Sequence, residues 1–182
     1  MKVSLKNVRL AFPNLFEAKA VNGEGDPRFS ASFLMDPKHP AVAELQKAFE
    51  TVGKEKWGAK WPQVKKELEL KDRTALHDGD TKAEYAGFEG MMFVNAGNKV
   101  RPLVIDRDKS PLIAADGKPY AGCYVNASIE LWCQDNNYGK RINASLRGVQ
   151  FLKDGDAFAG GGTASDDEFD DIEEGAEADD LV

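Results

Sequence analysis

The chain has 182 residues, 42% of them hydrophobic, which is enough for one domain with a core plus an appendage and excludes a wholly disordered protein. Its net charge of -7 conceals a division, because twelve of the 31 acids follow Lys153 with no base among them, while residues 1–153 carry 24 bases against 19 acids. A cationic body is thus followed by an anionic segment. The opening MKVSLKNVRLAFPNLF alternates polar and apolar residues, unlike a secretory leader, and no stretch approaches the ~20 apolar residues of a membrane helix. Two cysteines, Cys123 and Cys133, and two histidines, His39 and His77, do not easily assemble a structural zinc site. They read as buried thiols of a reducing cytoplasm, with a Cys123–Cys133 disulfide as the alternative.

In chain order, Val3 and Leu5 alternate with Ser4 and Lys6, and Val8, Leu10 and Phe12 continue the apolar series out of phase with them. A β-bulge near Lys6 and Asn7 accounts for the switch. Residues 22–27 form a loop by composition, after which Phe29, Ala31, Phe33 and Met35 alternate as a second strand, expected to pair with the first. Pro37 and Pro40 end it and open a helix carrying Ala41, Leu45, Ala48, Phe49 and Val52 on one face. A second, short helix opens at Pro62 and closes before Lys71. Trp57 and Trp61, set among lysines, are either a contact surface or the fasteners of these helices to the sheet.

Residues 72–90 read as irregular, with the sharpest turn at His77-Asp78-Gly79-Asp80. Met92, Val94 and Ala96 then alternate, and Arg101 to Asp106 is a short strand whose early proline suits an edge. Between Cys123 and Cys133 every odd position is apolar or small, while Tyr124, Asn126, Ser128, Glu130 and Trp132 share the other face. A turn over residues 134–140 leads back into Ile142, Ala144 and Leu146, with Arg141, Asn143, Ser145 and Arg147 outward and a bulge at Gly148. These elements predict a mainly β (α+β) domain over residues 1–153, an OB-like five-stranded Greek-key barrel with helical insertions, with a small sandwich as the competing architecture. Residues 154–182 read as a flexible acidic tail hinged at Gly160-Gly161-Gly162, too poor in apolar surface to fold.

No nucleophile motif, phosphate-binding glycine loop or metalloprotease signature is present, so no catalytic residue, cofactor or metal is assigned. The pairs Asp78/Asp80 and Asp106/Asp108 leave a magnesium-dependent nuclease as the weakest alternative. The outer hairpin face combines aromatic rings with cations, as a platform for single-stranded nucleic acid requires: rings take bases at ~1–3 kcal/mol each, and cations take phosphates. Candidate DNA-binding residues are Tyr124, Trp132, Tyr138, Lys140, Arg141 and Arg147, a second basic cluster of Lys99, Arg101, Arg107 and Lys109, and the indoles Trp57 and Trp61. A tethered polyanion at an effective concentration on the order of mM would compete for such a groove and, once displaced, recruit basic partners. Its candidate residues are Asp166, Asp167, Glu168, Phe169, Asp170, Asp171, Glu173, Glu174, Asp179 and Asp180. An interaction or DNA-mimic module, with the barrel as mere scaffold, is the other class of function.

The succession of Asp78-Gly79-Asp80, Asn95 to Asp106, Tyr120 to Ala127 and Gly139 to Gln150 resembles a family of tailed-phage single-stranded DNA-binding proteins. The resemblance covers most of residues 3–153. It implies an OB-fold core with helical insertions, a disordered acidic C-terminus and sequence-tolerant binding of single strands in phage DNA replication or recombination, with duplex DNA also tolerated. Replication or recombination proteins are the implied tail partners, a homodimer is one assembly the sequence allows, and the location is the cytoplasm of an infected bacterium. Similar tails commonly end in an aromatic residue; this chain ends Leu181-Val182, leaving Phe169 as the apolar anchor.

Overall fold

Strand β1 (Lys2–Val21) shifts its register at four points, and the first two set the facing of its N-terminal half. The first break is the expected one: Asn7 takes a left-handed φ of 54° where the register against the strand Tyr124–Asn136 shifts between Leu5 and Val8, so that Leu5 and Val8 both face the core. The second falls at Phe12 and Pro13, which together stand opposite Ala31 alone, and it differs from the expected pattern by turning Phe12 outward. The structure, a computed structural model, describes residues 1–21 and 24–158.

After β1 come β2 (Glu24–Met35), α1 (Pro40–Trp57), α2 (Trp61–Leu70), β3 (Leu76–Asp78), β4 (Met92–Asn98), β5 (Leu103–Ile105), β6 (Tyr124–Asn136) and β7 (Gly139–Lys153). The sheet order is β3-β4-β2-β1-β6-β7-β5, and one parallel bridge, Gly97 to Ser145, joins β4 to β7. Strands β1, β2, β4, β7 and β6 therefore close into a five-stranded barrel of the OB type rather than a sandwich, and closure removes their free edges. Short β3 extends β4, and β5 runs parallel to β7. The β6–β7 hairpin has the predicted facing, with Val125, Ala127, Ile129 and Leu131 buried, and its register shifts opposite Gly148.

Helix α1 starts with Pro40 in its first turn and His39 Nδ1 accepting from the Ala41 N–H at 3.0 Å. Its buried Leu45, Ala48, Phe49 and Val52 join the core with Val64 and Leu68 of α2. Trp57 and Trp61 are buried and stacked, with centroids 5.9 Å apart and planes 9° apart. Trp61 lies so close over Gly53 that any Cβ there would collide with the indole. Trp57 Nε1 donates to Asp135 at 2.9 Å, which fastens the inner face of the distal hairpin to the helices. Both indoles are thus buried fasteners, with their N–H groups bonded internally to Asp135 and Glu50. Both cysteines are free, Cys123 buried and Cys133 half-buried, so the disulfide alternative does not hold: they lie ten residues apart along one extended run.

The chain stays on the barrel beyond Lys153, five residues past the boundary read from composition. Tyr120 Oη donates to Asp154 at 2.7 Å, and Arg9 Nη2 donates to the Asp156 carbonyl at 2.6 Å. The Phe158 ring packs against a small cluster of Ala11, Leu34, Phe88 and Phe93. Gly122, at φ 104°, lets this strap approach, since a Cβ there would strike the Asp156 carbonyl. The glycine hinge at 160–162 and the acidic candidates Asp166 to Asp180 lie outside the described residues.

Candidate nucleic-acid interface

A groove of about 740 Å³ crosses the outer surface of the barrel where β4 meets β7. One wall comes from β1, β2, β4 and the residue after it (Asn14, Arg28, Ser30, Ser32, Asn95 and Lys99), and the other from the distal hairpin (Trp132, Gln134, Arg141, Asn143 and Ser145). Small residues Ala31, Ala96, Gly97 and Ala144 line it between the walls, with Thr74, Ala75, His77, Asn98, Ile142 and, on the β1 side, Phe12. The groove follows from strand alternation: the same β2 and β4 residues that send Phe33 and Val94 into the core send Ser32 and Asn95 outward.

Its chemistry is that of a polar carpet with cations at intervals. Ser32 Oγ donates to Asn95 Oδ1 at 2.6 Å, Asn14 Nδ2 to Ser30 Oγ at 3.2 Å, and Asn143 Nδ2 to Gln134 Oε1 at 3.0 Å. Arg28, Lys99 and Arg141 supply positive charge, and among the described residues no Asp or Glu lines the groove. Lys99 is held by Asp26 at 2.9 Å, and this hydrogen bond keeps the Asp26 carboxyl below the usual aspartate range. Among the described residues Arg28 and Arg141 have no ion-pair partner. Trp132, 44% exposed, is the large ring on the hairpin wall.

The groove therefore gathers Trp132, Arg141 and Lys99 from the candidates and not the others. Tyr124 shares the outer face of β6 with Trp132 but lies eight residues away, half-buried between Arg9, Lys153 and the strap at Gly155. Arg147 is paired with Glu130 at 2.8 Å. Lys140 is on the inner face of β7, near Glu67 of α2, whose carboxyl is lowered first by Lys71 and in smaller part by Lys140. Tyr138, 84% exposed, stands at the hairpin tip, and Arg101, Arg107 and Lys109 lie outside the groove lining, Arg101 against the Phe16 ring. The sequence reading missed Arg28 and the Ser/Asn row of β2 and β4. The signal was there in the polar members of Phe29–Met35 and Met92–Asn98, which share a face only once β2 and β4 are known to pair.

The carboxylate pairs have local partners. Asp78 caps the Asp80 N–H, Asp80 accepts from the Gly90 N–H, Asp106 binds Lys118, and Asp108 accepts from Ser110. Among the described residues no group of three or more His, Cys, Asp or Glu is placed to hold a metal ion, and no helix is long and apolar enough to cross a membrane.

The family model described as the single-stranded DNA-binding protein of Enterobacter phage Enc34 matches residues 1–182. The chain belongs to the Enc34 single-stranded DNA-binding protein family. Protein p50 of Acyrthosiphon pisum secondary endosymbiont phage 1 is 51% identical to it over 178 residues, covering 94% of each chain. The Enc34 protein itself, solved in complex with single-stranded DNA, superposes with a TM-score of 0.73 at 26% identity, covering 87% of this chain and 89% of the other. A single-stranded DNA-binding protein of bacteriophage T7 shares the fold, with a TM-score of 0.56 at 12% identity and 97% coverage of both. The Enc34 family and these structural neighbours are DNA-binding proteins, not enzymes.

Proposed function

We propose that this chain binds single-stranded DNA along the β4–β7 groove, without sequence preference, in phage DNA replication or recombination in the cytoplasm of an infected bacterium. The observation that carries the reading is the groove itself: three cations and an exposed indole with no acid among the described residues that line it. Arg28, Lys99 and Arg141 take phosphates and Trp132 takes a base by stacking, and neither contact reads sequence. Membership in the Enc34 family and the DNA complex of the Enc34 protein support the same ligand. Duplex DNA, whose bases are already stacked, binds less well. The acidic segment competes for the groove when it is empty and recruits basic replication or recombination proteins when displaced.

The test is fluorescence anisotropy of labelled oligo-dT, single-stranded and duplex, at two salt concentrations, with the full chain and a chain ending at Phe158. Salt-sensitive single-strand binding that strengthens on truncation is the expected result, with a log–log slope of about -2 if all three cations meet phosphates. No binding by either chain overturns the reading and favours the interaction or DNA-mimic module. Binding that is unchanged by truncation removes the competing segment but leaves the groove.

A further inference from the structure

We infer that Phe12 and Tyr85 form a second base-stacking position at the β1 side of the groove, a refinement that rests on the single-stranded DNA reading above. Phe12 sits at the β1 bulge with a left-handed φ of 47°, a conformation that disfavours a bulky side chain and that glycine would adopt freely. The bulge turns its ring outward, 50% exposed, and such departures from local preference concentrate where a side chain is used. Tyr85, 44% exposed, meets it edge to face with centroids 5.0 Å apart. Phe12 borders both the groove and a cleft of about 210 Å³ that it shares with Tyr85, so its ring stands between the two spaces.

The platform is held firmly from behind. Phe12 and Tyr85 both rest on buried Phe88, at 5.8 Å and 5.9 Å, and Phe88 packs on Phe93 at 5.1 Å. The loop carrying Tyr85 is clasped at its ends: the Gly79 N–H donates to Met91 O at 2.7 Å, and Asp80 accepts from the Gly90 N–H at 2.8 Å. A Cβ at Gly79 would collide with the Phe88 and Met91 carbonyls, so the Asp78-Gly79-Asp80 turn is the clasp that presents Tyr85. Charge decides what this position takes. Glu84 borders the cleft and repels a phosphate but not a neutral base, while the cations of the groove attract the backbone. A strand with its phosphates over Arg28, Lys99 and Arg141 thus sets one base on Trp132 and another on Phe12 and Tyr85.

Oligo-dT and a fully abasic strand of equal length, titrated against the full chain and its Phe12→Gly and Tyr85→Ala variants, test this. Glycine suits the φ at position 12, and near-UV circular dichroism checks that each variant is folded. Each variant should bind oligo-dT about 5- to 150-fold more weakly, the worth of one stacked base, with an unchanged salt slope. On the abasic strand the wild type and the variants should bind alike. Folded variants that bind oligo-dT as tightly as the wild type overturn the inference, as does a penalty that persists on the abasic strand. A wild-type chain that does not bind oligo-dT overturns the DNA reading itself, and the stacking position with it.

Discussion

The Arg9 guanidinium lies 4.2 Å from the centroid of the Phe158 ring and 5.8 Å from that of Tyr124, with its Nε donating to Gly122 O at 3.0 Å. One arginine of β1 thereby holds the end of the described chain against the barrel, and two aromatic rings hold the arginine.

The first expectation concerns where the chain is cut. A chain ending at Phe158 should melt close to the full-length protein. One ending at Lys153 loses the Tyr120–Asp154 and Arg9–Asp156 hydrogen bonds and a partly buried phenylalanine, about 2 kcal/mol together. Its Tm should fall by about 4–8 °C. Equal Tm values for the two chains would show that the strap adds nothing to stability.

Stacking and charge separate at the groove. Trp132→Ala should weaken oligo-dT binding by about 1–3 kcal/mol without changing the salt slope. Arg141→Ala should instead flatten the slope by about 0.7. Tyr124→Ala serves as the contrast: its ring packs on Arg9, Lys153 and the strap, so it should lower Tm and leave affinity unchanged. Anisotropy titrations beside thermal melts distinguish the three.

Asp26 holds the Lys99 ammonium that the proposed groove would offer to phosphate. In Asp26→Asn the ammonium group loses its carboxylate partner and is freed for phosphate. Oligo-dT affinity should rise about 2- to 5-fold at low salt, with a steeper salt slope. An unchanged slope would mean that Lys99 meets no phosphate.

Glu50 links the two helices by accepting from Lys65 and, at 2.8 Å, from Trp61 Nε1; these bonds hold its carboxyl below the usual glutamate range, Lys65 contributing most. A lowered folded-state pKa gives stability that is present above the ordinary glutamate range and is lost as pH falls through the folded value. Glu50→Gln should therefore be about 1–2 kcal/mol less stable at neutral pH. The gap should close on acidification, followed by urea unfolding at stepped pH.

Much of the barrel was legible because its core faces alternate cleanly: Val125 to Leu131, Ile142 to Leu146 and the Leu5–Val8 phase switch each fix a strand and its inner side. The helices were legible from Leu45, Phe49 and their proline starts. The second bulge was not, since Phe12 extends an apolar series that local pattern alone assigns to the core. The site was only half legible for a related reason. Periodicity placed Tyr124 and Trp132 on one face, though eight residues of extended strand set them about 26 Å apart, and it does not say which neighbouring strand adds Arg28. Tryptophans among lysines read equally as surface or fastener, and the Gly53 recess under Trp61 decides it.

The barrel is sealed between β4 and β7 by a single parallel bridge, Gly97 to Ser145, with Asn98 Nδ2 reaching Leu146 O at 3.2 Å beside it. Every other junction in the ring is a longer antiparallel ladder. The shortest seam lies in the groove, so a ligand gripping both walls works as a stitch across it: occupancy and closure become one equilibrium, each reinforcing the other. Amide exchange at Gly97 should slow on addition of oligo-dT more than exchange anywhere along the β6–β7 ladder.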